Sequence, residues 1–324
     1  MLLSVIIVNY NSTSYLLPCL SSLFAETKEI DFETIVVDNA STDNGCDLVA
    51  HAFPQVRLLR NEKNLGFAAA NNNGFEISRG TNLLFLNPDT LIVGNAVAVA
   101  LQELSRLPLA GAVGCELRNA DSSIQTTAVL PFPTIANQLF GANALYRLFP
   151  RARLWGNAPL FQGSQEALEV PAISGAGMFV TREAFVAAGM FDTRYFMYAE
   201  DIDLCHAIRK AGFKVYYTSR ARVTHFGGTS SGAGKFTILT MKKSTYSMLK
   251  KWKGTRYADS YKAAIALAAA IRCSLLLVAT PVALMAGQTH GIEWSLSKWK
   301  TILLWAMGIA PAVKIREKVD HARS

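Results

Sequence analysis

Short apolar runs alternate with helical patterns along the first third of the chain. Four runs rich in Val, Ile and Leu predict buried strands, at residues 3–8, 34–38, 55–59 and 82–89. Helical patterns lie between and after them, at residues 15–24, 67–79 and 96–107. Strands that alternate with helices predict βαβ units, so we expect an α/β fold with a mostly parallel central sheet.

The middle of the chain follows a less regular pattern. Residues 111–127 predict a hairpin with its turn at 119–123, and residues 131–165, rich in Pro, Gly, Asn and Arg, predict a long loop. The stretch 171–185 predicts a strand followed by a helix with Thr181 as its cap. A helix at 202–211, stopped by Gly212, and a strand at 214–218 complete this part.

Polar residues follow three of the predicted strands directly. They are Asn9–Asn11, Asp38–Asn39 and Asn87–Asp89. Ligands of open α/β sheets bind beyond the carboxyl ends of the parallel strands. We therefore expect these three polar segments to converge on one crevice.

The C-terminal region differs in charge and aromatic content. From Lys235 onward the chain holds 15 Lys and Arg against 4 Asp and Glu, a net charge of +11, whereas the first 234 residues carry −3. Four of the five tryptophans are also there. We therefore divide the chain into residues 1–234 and a basic helical region, 235–324. Basic residues with tryptophans favour an anionic membrane surface as partner, and the long apolar runs argue against nucleic acid.

Two apolar runs in this region are short for a membrane span. Residues 273–287 and 301–313 comprise 15 and 13 residues, and each contains a proline. A spanning helix needs about 20 apolar residues, so we predict interfacial or re-entrant helices. A single span beginning at Ala263 is the alternative, although it would include Arg272. Residues 235–253 predict a basic helix.

The remaining composition gives weaker indications. The five cysteines have no metal-binding spacing, which favours reduced thiols in a cytosolic setting. The opening MLLSVIIVNYN lacks the basic start and cleavage site of a secretory signal.

An unusual acidic cluster lies at 195-YFMYAEDIDLCHAIRKAG-212. Glu200, Asp201 and Asp203 are surrounded by apolar residues. A carboxylate in apolar surroundings has a raised pKa, which suits a general base. The alternative is structural, because acidic residues in a first helical turn favour the helix dipole. We assign Asp203 mainly to that alternative, with pairing to Arg209 as a further option.

Seven ordered segments resemble one enzyme family. They are 4-SVIIVNYNS-12, 35-IVVDNASTD-43, 64-NLGFAAANNNG-74, 84-LFLNPD-89, 174-SGAGMFV-180, 191-FDTRYFMYAEDIDLCHAIRKAG-212 and 225-HFGGTS-230. Together they resemble glycosyltransferase family 2, and more narrowly its bacterial rhamnosyltransferase-like branch, over about residues 3–235. The resemblance implies the GT-A fold, the fold of nucleotide-diphospho-sugar transferases.

The resemblance assigns the donor nucleotide to the first strand ends. Asp38 corresponds to the family's base-binding Asp, and the backbone at Val8–Tyr10 flanks base and ribose. The residues implied to contact nucleotide or donor are Val8, Asn9, Tyr10, Asn11, Asp38, Asn39, Asn64, Gly66, Asn71, Asn87, Asp89, Gly175 and Gly177. For Asp38 a turn role is the alternative, and for Gly175 and Gly177 it is tight strand packing.

The resemblance also implies a divalent metal, Mg²⁺ or Mn²⁺. The family often has Asp-x-Asp where this chain has Asn87-Pro88-Asp89, so Asp89 would be the surviving ligand. His225 would be the second ligand, and the glycine-rich segment after it would close over the donor. The alternatives are a Pro-Asp turn and a structural histidine.

The implied reaction is inverting transfer of a sugar from a nucleotide diphosphate to a glycan acceptor. Asp201 would be the catalytic base, with Glu200 in support. The resemblance implies a hexose or deoxyhexose donor, of which L-rhamnose from dTDP-rhamnose is the candidate. A polyprenyl-linked acceptor at the cytoplasmic face of a bacterial inner membrane fits the basic tail. The rivals are a UDP-sugar donor and a non-catalytic nucleotide-sugar or glycan-binding protein. A nucleotidyltransferase would show a basic glycine-rich loop after the first strand, and NYNSTSYL has none.

Overall fold

In the computed structural model the chain divides into two compact units, Met1–Ser230 and Ser231–Ser324. The structure describes residues 2–140, 157–161, 164, 166–227, 234–285 and 289–309. Each unit is considered by itself below.

The first unit is built on one large sheet. Its described strands are β1 (Leu3–Asn9), β2 (Phe32–Asp38), β3 (Arg57–Arg60), β4 (Asn82–Leu86), β5 (Thr90–Val93), β6 (Ala110–Arg118), β8 (Leu168–Glu169), β10 (Gly177–Thr181) and β11 (Lys214–His225). Their order is β3-β2-β1-β4-β10-β6-β11-β5, with β8 paired to β11. Strands β7 (Val129–Leu130) and β9 (Ala172–Ile173) form a separate two-stranded sheet.

The described helices of this unit cover the sheet. They are α1 (Thr13–Glu26), α2 (Gly45–Ala52), α3 (Phe67–Glu76), α4 (Ala96–Arg106), α5 (Ile135–Phe140), α6 (Arg182–Ala187) and α7 (Glu200–Lys210). Short 3₁₀ turns lie at Thr126–Ala128 and Ala158–Phe161. All seven residues of β1 are buried, which is why this central strand is mostly apolar on both faces instead of alternating.

Most strands of the sheet run in one direction. Strands β1 to β4 are parallel, β10 is antiparallel to both β4 and β6, and β11 is parallel to β6. The carboxyl ends of β1, β2, β4 and β11 therefore lie at one edge, together with the start of β10. Because the site residues implied by the family resemblance lie along it, this edge is called the catalytic edge below. The α/β architecture with mostly parallel strands confirms the predicted fold class.

The structure corrects the predicted elements in three places. The run 82–89 ends as a strand at Leu86, and after a turn at 87–89 a second strand, Thr90–Val93, pairs antiparallel with β11. Pro88 has no backbone N–H to donate to a ladder, which accounts for the break. The predicted hairpin at 111–127 is confirmed at its turn, where the Asn119 N–H donates to Ser123 O (2.9 Å) and Arg118 bridges antiparallel to Ile124. Its second arm is shorter than predicted, because the chain passes into a 3₁₀ turn at Thr126–Ala128. The predicted loop at 131–165 contains helix α5, and residues 141–156 lie outside the described part.

Strand β11 is longer than predicted and irregular. It continues past residue 218 to His225, and its register with β6 shifts between Thr218 and Arg222. Thr218 pairs with Cys115 and Arg222 pairs with Glu116, so three residues of β11 bulge opposite a single step of β6. The end of β11 then pairs with β5, where His225 lies opposite Thr90.

The second unit consists of helices in the described residues. Helix α8 (Lys235–Lys253) has the predicted bounds, whereas the apolar run near 273 belongs to a 31-residue helix, α9 (Thr255–Met285). Helix α10 (Thr289–Ala306) follows and packs against α9. In the described part of the chain, one helix is long and apolar enough to cross a membrane, over Thr255–Thr280. The length of this helix fits the alternative of a single membrane-spanning segment that includes Arg272.

Candidate active site

Asp38 ends β2 inside a network of polar side chains. Asn9 Nδ2 donates to Asp38 Oδ1 (3.3 Å) and to Ser41 Oγ (3.1 Å), and the Ser41 N–H donates to Asp38 Oδ2 (3.4 Å). Ser12 Oγ donates to Asn9 Oδ1 (2.8 Å). Asn9 and Asp38 are both buried, so hydrogen bonds fix the orientation of their side chains before any ligand binds.

The loop after β1 is held against the loop after β2. The Asn11 N–H donates to Ser41 Oγ (3.0 Å), and Asn11 Oδ1 accepts from the Thr42 N–H (2.7 Å). Asn11 has a φ of 49°, a left-handed conformation that asparagine tolerates better than most residues. Val8 is buried and Tyr10 is partly exposed, so the predicted nucleotide-binding stretch begins inside the core and ends at the surface.

Asn39 connects three loops of the catalytic edge. Its N–H donates to Asn9 O (2.8 Å), and its side-chain amide donates to Asn64 Oδ1 (2.8 Å). Its Oδ1 accepts from the Leu65 N–H (3.0 Å) and from Asn61 Nδ2 (3.1 Å). Asn39 and Asn64 thus position each other. Ser41 and Asn61 belong to this network although the sequence patterns did not single them out.

Gly66 joins this network to the acidic segment. Its φ of +82° favours glycine, and a Cβ there would lie 2.3 Å from the carbonyl oxygen of Phe196. The same carbonyl accepts a hydrogen bond from the Phe67 N–H (2.9 Å). A side chain at position 66 would therefore separate the start of α3 from the segment that leads into α7.

The acidic helix begins after two residues in left-handed backbone. Tyr198 and Ala199 have φ values of 68° and 71°. Such conformations cost roughly 1–3 kcal/mol for residues other than glycine and are frequent at functional sites. The Asp203 N–H donates to the Ala199 carbonyl (2.9 Å), and helix α7 starts at Glu200. The turn places Glu200 and Asp201 in the first helical positions.

The two carboxyl groups have different surroundings. Asp201 Oδ2 accepts from the Gly175 N–H (3.1 Å) and Oδ1 from the Ile202 N–H (2.8 Å). Glu200 is 7% exposed, and its buried Oε2 has no hydrogen-bond partner. Burial, and then the charge of Asp201, raise the pKa of Glu200 well above its ordinary value. Burial raises the pKa of Asp201 too, but both N–H groups oppose it. Asp201 is consequently the member that ionises first.

Asp89 and His225 meet across the edge of the sheet. His225 Nε2 lies 3.4 Å from Asp89 Oδ1 and 3.4 Å from Asn87 Nδ2. The Phe226 N–H donates to Asp89 O (2.9 Å), which extends the β5–β11 ladder up to the acidic residue. Asp89 is buried.

Gln125 determines which nitrogen of His225 faces Asp89. Gln125 Nε2 donates to the His225 carbonyl and to Asn119 Oδ1 (2.8 Å), so its Oε1 is the atom 2.9 Å from His225 Nδ1. An oxygen accepts there, so Nδ1 carries the proton of the neutral imidazole. The lone pair is then on Nε2, which lies 3.4 Å from the Asn87 side-chain amide and faces Asp89. Gln125 was not among the predicted site residues.

The glycine segment 174–177 faces the turn at 87–89. The Asn87 N–H donates to Ala176 O (3.0 Å). A Cβ at Gly175 would meet its nearest atoms at 3.5 Å and one at Gly177 at 3.9 Å, which are ordinary contacts. Tight packing therefore does not require glycine at either position.

Comparison with known proteins identifies the family of the chain. A sequence profile described as Glycosyl transferase family 2 matches residues 4–155. The N-acetylglucosaminyl-diphospho-decaprenol L-rhamnosyltransferase of Mycobacterium tuberculosis H37Rv is 32% identical over 261 residues, which cover 76% of this chain and 83% of the relative. The chain belongs to glycosyltransferase family 2.

Solved structures support the GT-A fold of this glycosyltransferase. The mannosyltransferase PcManGT from Pyrobaculum calidifontis, in complex with GDP-Man and Mn²⁺, has a TM-score of 0.57 at 19% identity, over 94% of this chain and 87% of its own. GalNAc-T7 with UDP, GalNAc and Mn²⁺ has a TM-score of 0.56 at 17% identity, over 78% of this chain and 48% of its own. The two neighbours carry different nucleotides, so the fold by itself does not indicate the base.

Two further residues, Asn71 from the predicted site and Asp203 from the acidic cluster, have buried side chains. Asn71 is buried, and its Nδ2 donates to Phe67 O (3.0 Å) in its own helix. The optional pairing of Asp203 with Arg209 is wrong, because Arg209 forms an ion pair with Glu169 (2.9 Å). Asp203 is instead buried beside Tyr195, whose pKa is raised by burial and by the neighbouring carboxylate.

The carboxylate of Asp89 and the imidazole of His225 would supply part of the ligand set of a metal ion. Within the described ranges, no group of three or more His, Cys, Asp and Glu side chains could hold a metal ion. A carboxylate oxygen and an imidazole lone pair suit Mn²⁺, and the remaining positions would be filled by phosphate oxygens and water. Because Gln125 holds the proton on Nδ1, the histidine is prepared to act as a ligand.

Proposed function

We propose that this enzyme is an inverting, metal-dependent glycosyltransferase that moves a sugar from a nucleoside diphosphate to a lipid-linked glycan. The observation that carries the proposal is Asp201. Its carboxylate is held by the Gly175 N–H at the edge of the sheet where β2 ends at Asp38, β11 ends at His225, and the turn after β4 contains Asp89.

Asp201 acts as the general base. Its carboxylate accepts the proton of an acceptor hydroxyl while that oxygen bonds to the anomeric carbon, and the bond from that carbon to the diphosphate oxygen breaks. A single displacement inverts the anomeric centre. Burial and the charge of Asp201 raise the pKa of Glu200, whereas two N–H groups oppose the rise at Asp201, so Asp201 is the carboxyl group that carries the negative charge.

Asp89 and His225 would hold the divalent cation, Mg²⁺ or Mn²⁺. When bound, the cation offsets the charge that develops on the departing diphosphate. The support is the position of His225 Nε2 beside Asp89 Oδ1, 3.4 Å apart. Both structural neighbours were also solved with Mn²⁺.

Asp38 would bind the base of the donor. A carboxylate oxygen accepts the imide N–H of a pyrimidine such as thymine or uracil. We propose dTDP-rhamnose as the donor and a polyprenyl-diphosphate-linked sugar as the acceptor, since the mycobacterial relative is named for L-rhamnosyl transfer onto N-acetylglucosaminyl-diphospho-decaprenol. Such an acceptor, together with the apolar helix at Thr255–Thr280, would locate the enzyme at the cytoplasmic face of the bacterial inner membrane.

Thermal stabilisation by sugar nucleotides tests the donor, the base and the metal together. The full-length protein is melted with dTDP-rhamnose, dTDP-glucose, UDP-glucose and UDP-N-acetylglucosamine, each with and without Mn²⁺. We expect dTDP-rhamnose with Mn²⁺ to raise the melting temperature most, because a ligand that binds only the folded state stabilises it. A larger shift with a UDP-sugar would replace the proposed donor with a UDP-sugar donor.

Turnover then separates an enzyme from a binding protein. The stabilising donor is incubated with N-acetylglucosaminyl-diphospho-polyprenol in detergent, and the anomeric configuration of the product is read by NMR. Donor binding without transfer to any lipid-linked sugar would favour a non-catalytic protein, and retention of configuration would refute the single displacement.

A further inference from the structure

Helix α9 has one buried side and one exposed side. It packs against α8 and α10, and Tyr261, Ile265 and Ala269 are at most 3% exposed. Positions three or four residues apart lie on one face of a helix. On a different side of α9, four large aliphatic side chains at this spacing are between 51% and 77% exposed, and they are Leu267, Ile271, Leu275 and Val278. We refer to these four residues as the aliphatic stripe.

No charged side chain interrupts the aliphatic stripe. Between residues 263 and 279 the single charged residue is Arg272. Its guanidinium lies 4.1 Å from the ring centre of Trp299, on α10, so this charge is directed toward the neighbouring helix. The stripe runs from position 267 to position 278, a length of about 16 Å at 1.5 Å per residue. A continuous exposed apolar surface of this kind marks an interaction site.

The two helices packed beside α9 expose charged side chains. On α8 Lys243 and Lys250 are exposed, and on α10 Glu293 and Lys300 are exposed. If α9 crossed a bilayer with this packing intact, α8 and α10 would enter the bilayer with it, together with their charged groups. A charged side chain at the bilayer centre costs roughly 2.5–3.5 kcal/mol even on the lowest scale. The packing therefore disfavours a crossing that the length of α9 alone would allow.

Charge and aromatic content favour a lipid surface as the partner of the aliphatic stripe. Residues 235–324 carry a net charge of +11 and four tryptophans. Trp294 is 51% exposed, and Lys298 Nζ lies 5.2 Å from the centre of its ring. Tryptophans beside cations are typical of the boundary between headgroups and acyl chains, and a basic segment is attracted to anionic lipid. A second copy of the same positively charged unit would be repelled instead.

We propose that α9 lies in the plane of an anionic membrane surface, with the aliphatic stripe among the upper acyl chains and with α8 and α10 packed on its other side. The exposed lysines of α8 and α10 then stay at the level of the lipid phosphates, and α9 does not cross the bilayer. This inference rests on the membrane location proposed above and specifies the surface that makes it. It does not depend on which sugar is transferred, because vesicle binding is measured without donor or acceptor.

Vesicle flotation of the full-length protein tests the aliphatic stripe. The vesicles contain phosphatidylcholine and phosphatidylglycerol, at physiological salt. The test variant is L275E/V278E, at positions that are 64% and 77% exposed. The matched control is L109E/V186E, which makes the same two changes at exposed positions of the first unit. We expect the test variant to lose roughly tenfold or more in affinity, because two carboxylates would have to enter the apolar part of the bilayer. The control changes the net charge equally and should lose markedly less.

Depth measurements distinguish a helix that lies on the membrane from one that crosses it, independently of the glutamate substitutions. Leu267→Cys and Val278→Cys are made separately in a Cys273→Ser background, because the other four cysteines are buried. Each new thiol carries a nitroxide label, whose immersion depth in the vesicles is measured by electron paramagnetic resonance. We expect equal depths at the two positions, whereas a helix along the membrane normal would separate them by about 16 Å.

Three results would each overturn the proposal. They are unequal depths of the two labels, equal losses of affinity in the test and control variants, and normal vesicle binding by a test variant that sedimentation shows to have lost a dimer formed by the parent. The last result would assign the aliphatic stripe to a second copy of the chain.

Discussion

The two acidic positions of the catalytic edge, Asp38 and the Glu200–Asp201 pair, differ in how fully the fold provides hydrogen bonds for them. Around Asp38, side-chain amides, hydroxyls and backbone N–H groups contact one another in a closed network. At the pair, only Asp201 receives such support, and Glu200 Oε2 is buried without a partner. The first arrangement suits rigid recognition of a ligand. In the second, the hydrogen-bonded Asp201 suits a group that accepts a proton, and the electrostatic strain falls on its buried neighbour Glu200.

The largest effect should follow from removing the base. We expect Asp201→Asn to lower kcat about a thousandfold while leaving the donor affinity nearly unchanged, since the lost group acts on the acceptor proton. Steady-state kinetics and donor titration measure the two quantities. Asp47→Asn, at an exposed ion pair with Arg60, is the control. Near-normal turnover by the Asp201 variant would mean that another residue is the base. The proposed difference in role between Asp38 and Asp201 would then be wrong.

The next effect concerns the orientation of His225. Gln125→Leu removes the acceptor for the Nδ1 proton, and we expect the Mn²⁺ affinity in the presence of nucleoside diphosphate to fall about 10–100-fold. Electron paramagnetic resonance of free Mn²⁺ measures this without turnover. Gln125→Glu keeps an acceptor oxygen and should recover part of the affinity. An unchanged Mn²⁺ affinity in Gln125→Leu would show that His225 does not need this partner.

The third effect concerns the rigidity of the hydrogen-bonded network around Asp38 and is tested by substituting two glycines of the catalytic edge. Gly66→Ala should destabilise the protein by about 2 kcal/mol or more, because φ is positive and the new Cβ would collide with Phe196 O. Gly177→Ala should leave the free energy of unfolding almost unchanged, because the nearest atoms are 3.9 Å away. Denaturant unfolding measures both. Should Gly177→Ala weaken donor binding at unchanged stability, close approach of the donor to this backbone would be supported.

The smallest effect tests the strain at Glu200 directly. A carboxyl group whose pKa is raised on folding binds its proton more tightly in the native state, so its contribution to stability is present below its ordinary value of 4.5 and is lost as the pH rises. Glu200→Gln removes this loss, and we expect it to raise the stability at pH 7 by on the order of 1 kcal/mol for each unit of raised pKa.

The pH dependence of the stability of Glu200→Gln distinguishes the removal of a buried charge from a general improvement in packing. The stabilisation by Glu200→Gln should disappear below about pH 4.5, where Glu200 is protonated in both states. Glu62→Gln, at an exposed position, should show little change at either pH. A Glu200 variant that is less stable than the parent at pH 7 would mean that the buried carboxylate has a stabilising partner.

The sequence was most informative where an apolar run predicts a strand and polar residues follow it directly. Runs such as 3–8 predicted β1 and its neighbours because both faces of a parallel sheet are covered. The polar residues after those strands predicted the catalytic edge. Gln125 escaped prediction because its importance comes from a contact with His225, one hundred residues away, and no local pattern marks it. The positive φ values at Tyr198 and Ala199 were equally invisible, because neither residue type indicates left-handed backbone.

The bulge in β11 has a consequence for how this family 2 chain can vary in length. Side chains alternate between the two faces along a strand, and the unpaired residues between Thr218 and Arg222 set which face receives His225. Deleting one of them would turn the imidazole away from Asp89, even though every residue of the site would still be present. The spacing of a segment that contains no candidate site residue therefore decides whether the His225 and Asp89 side chains can meet.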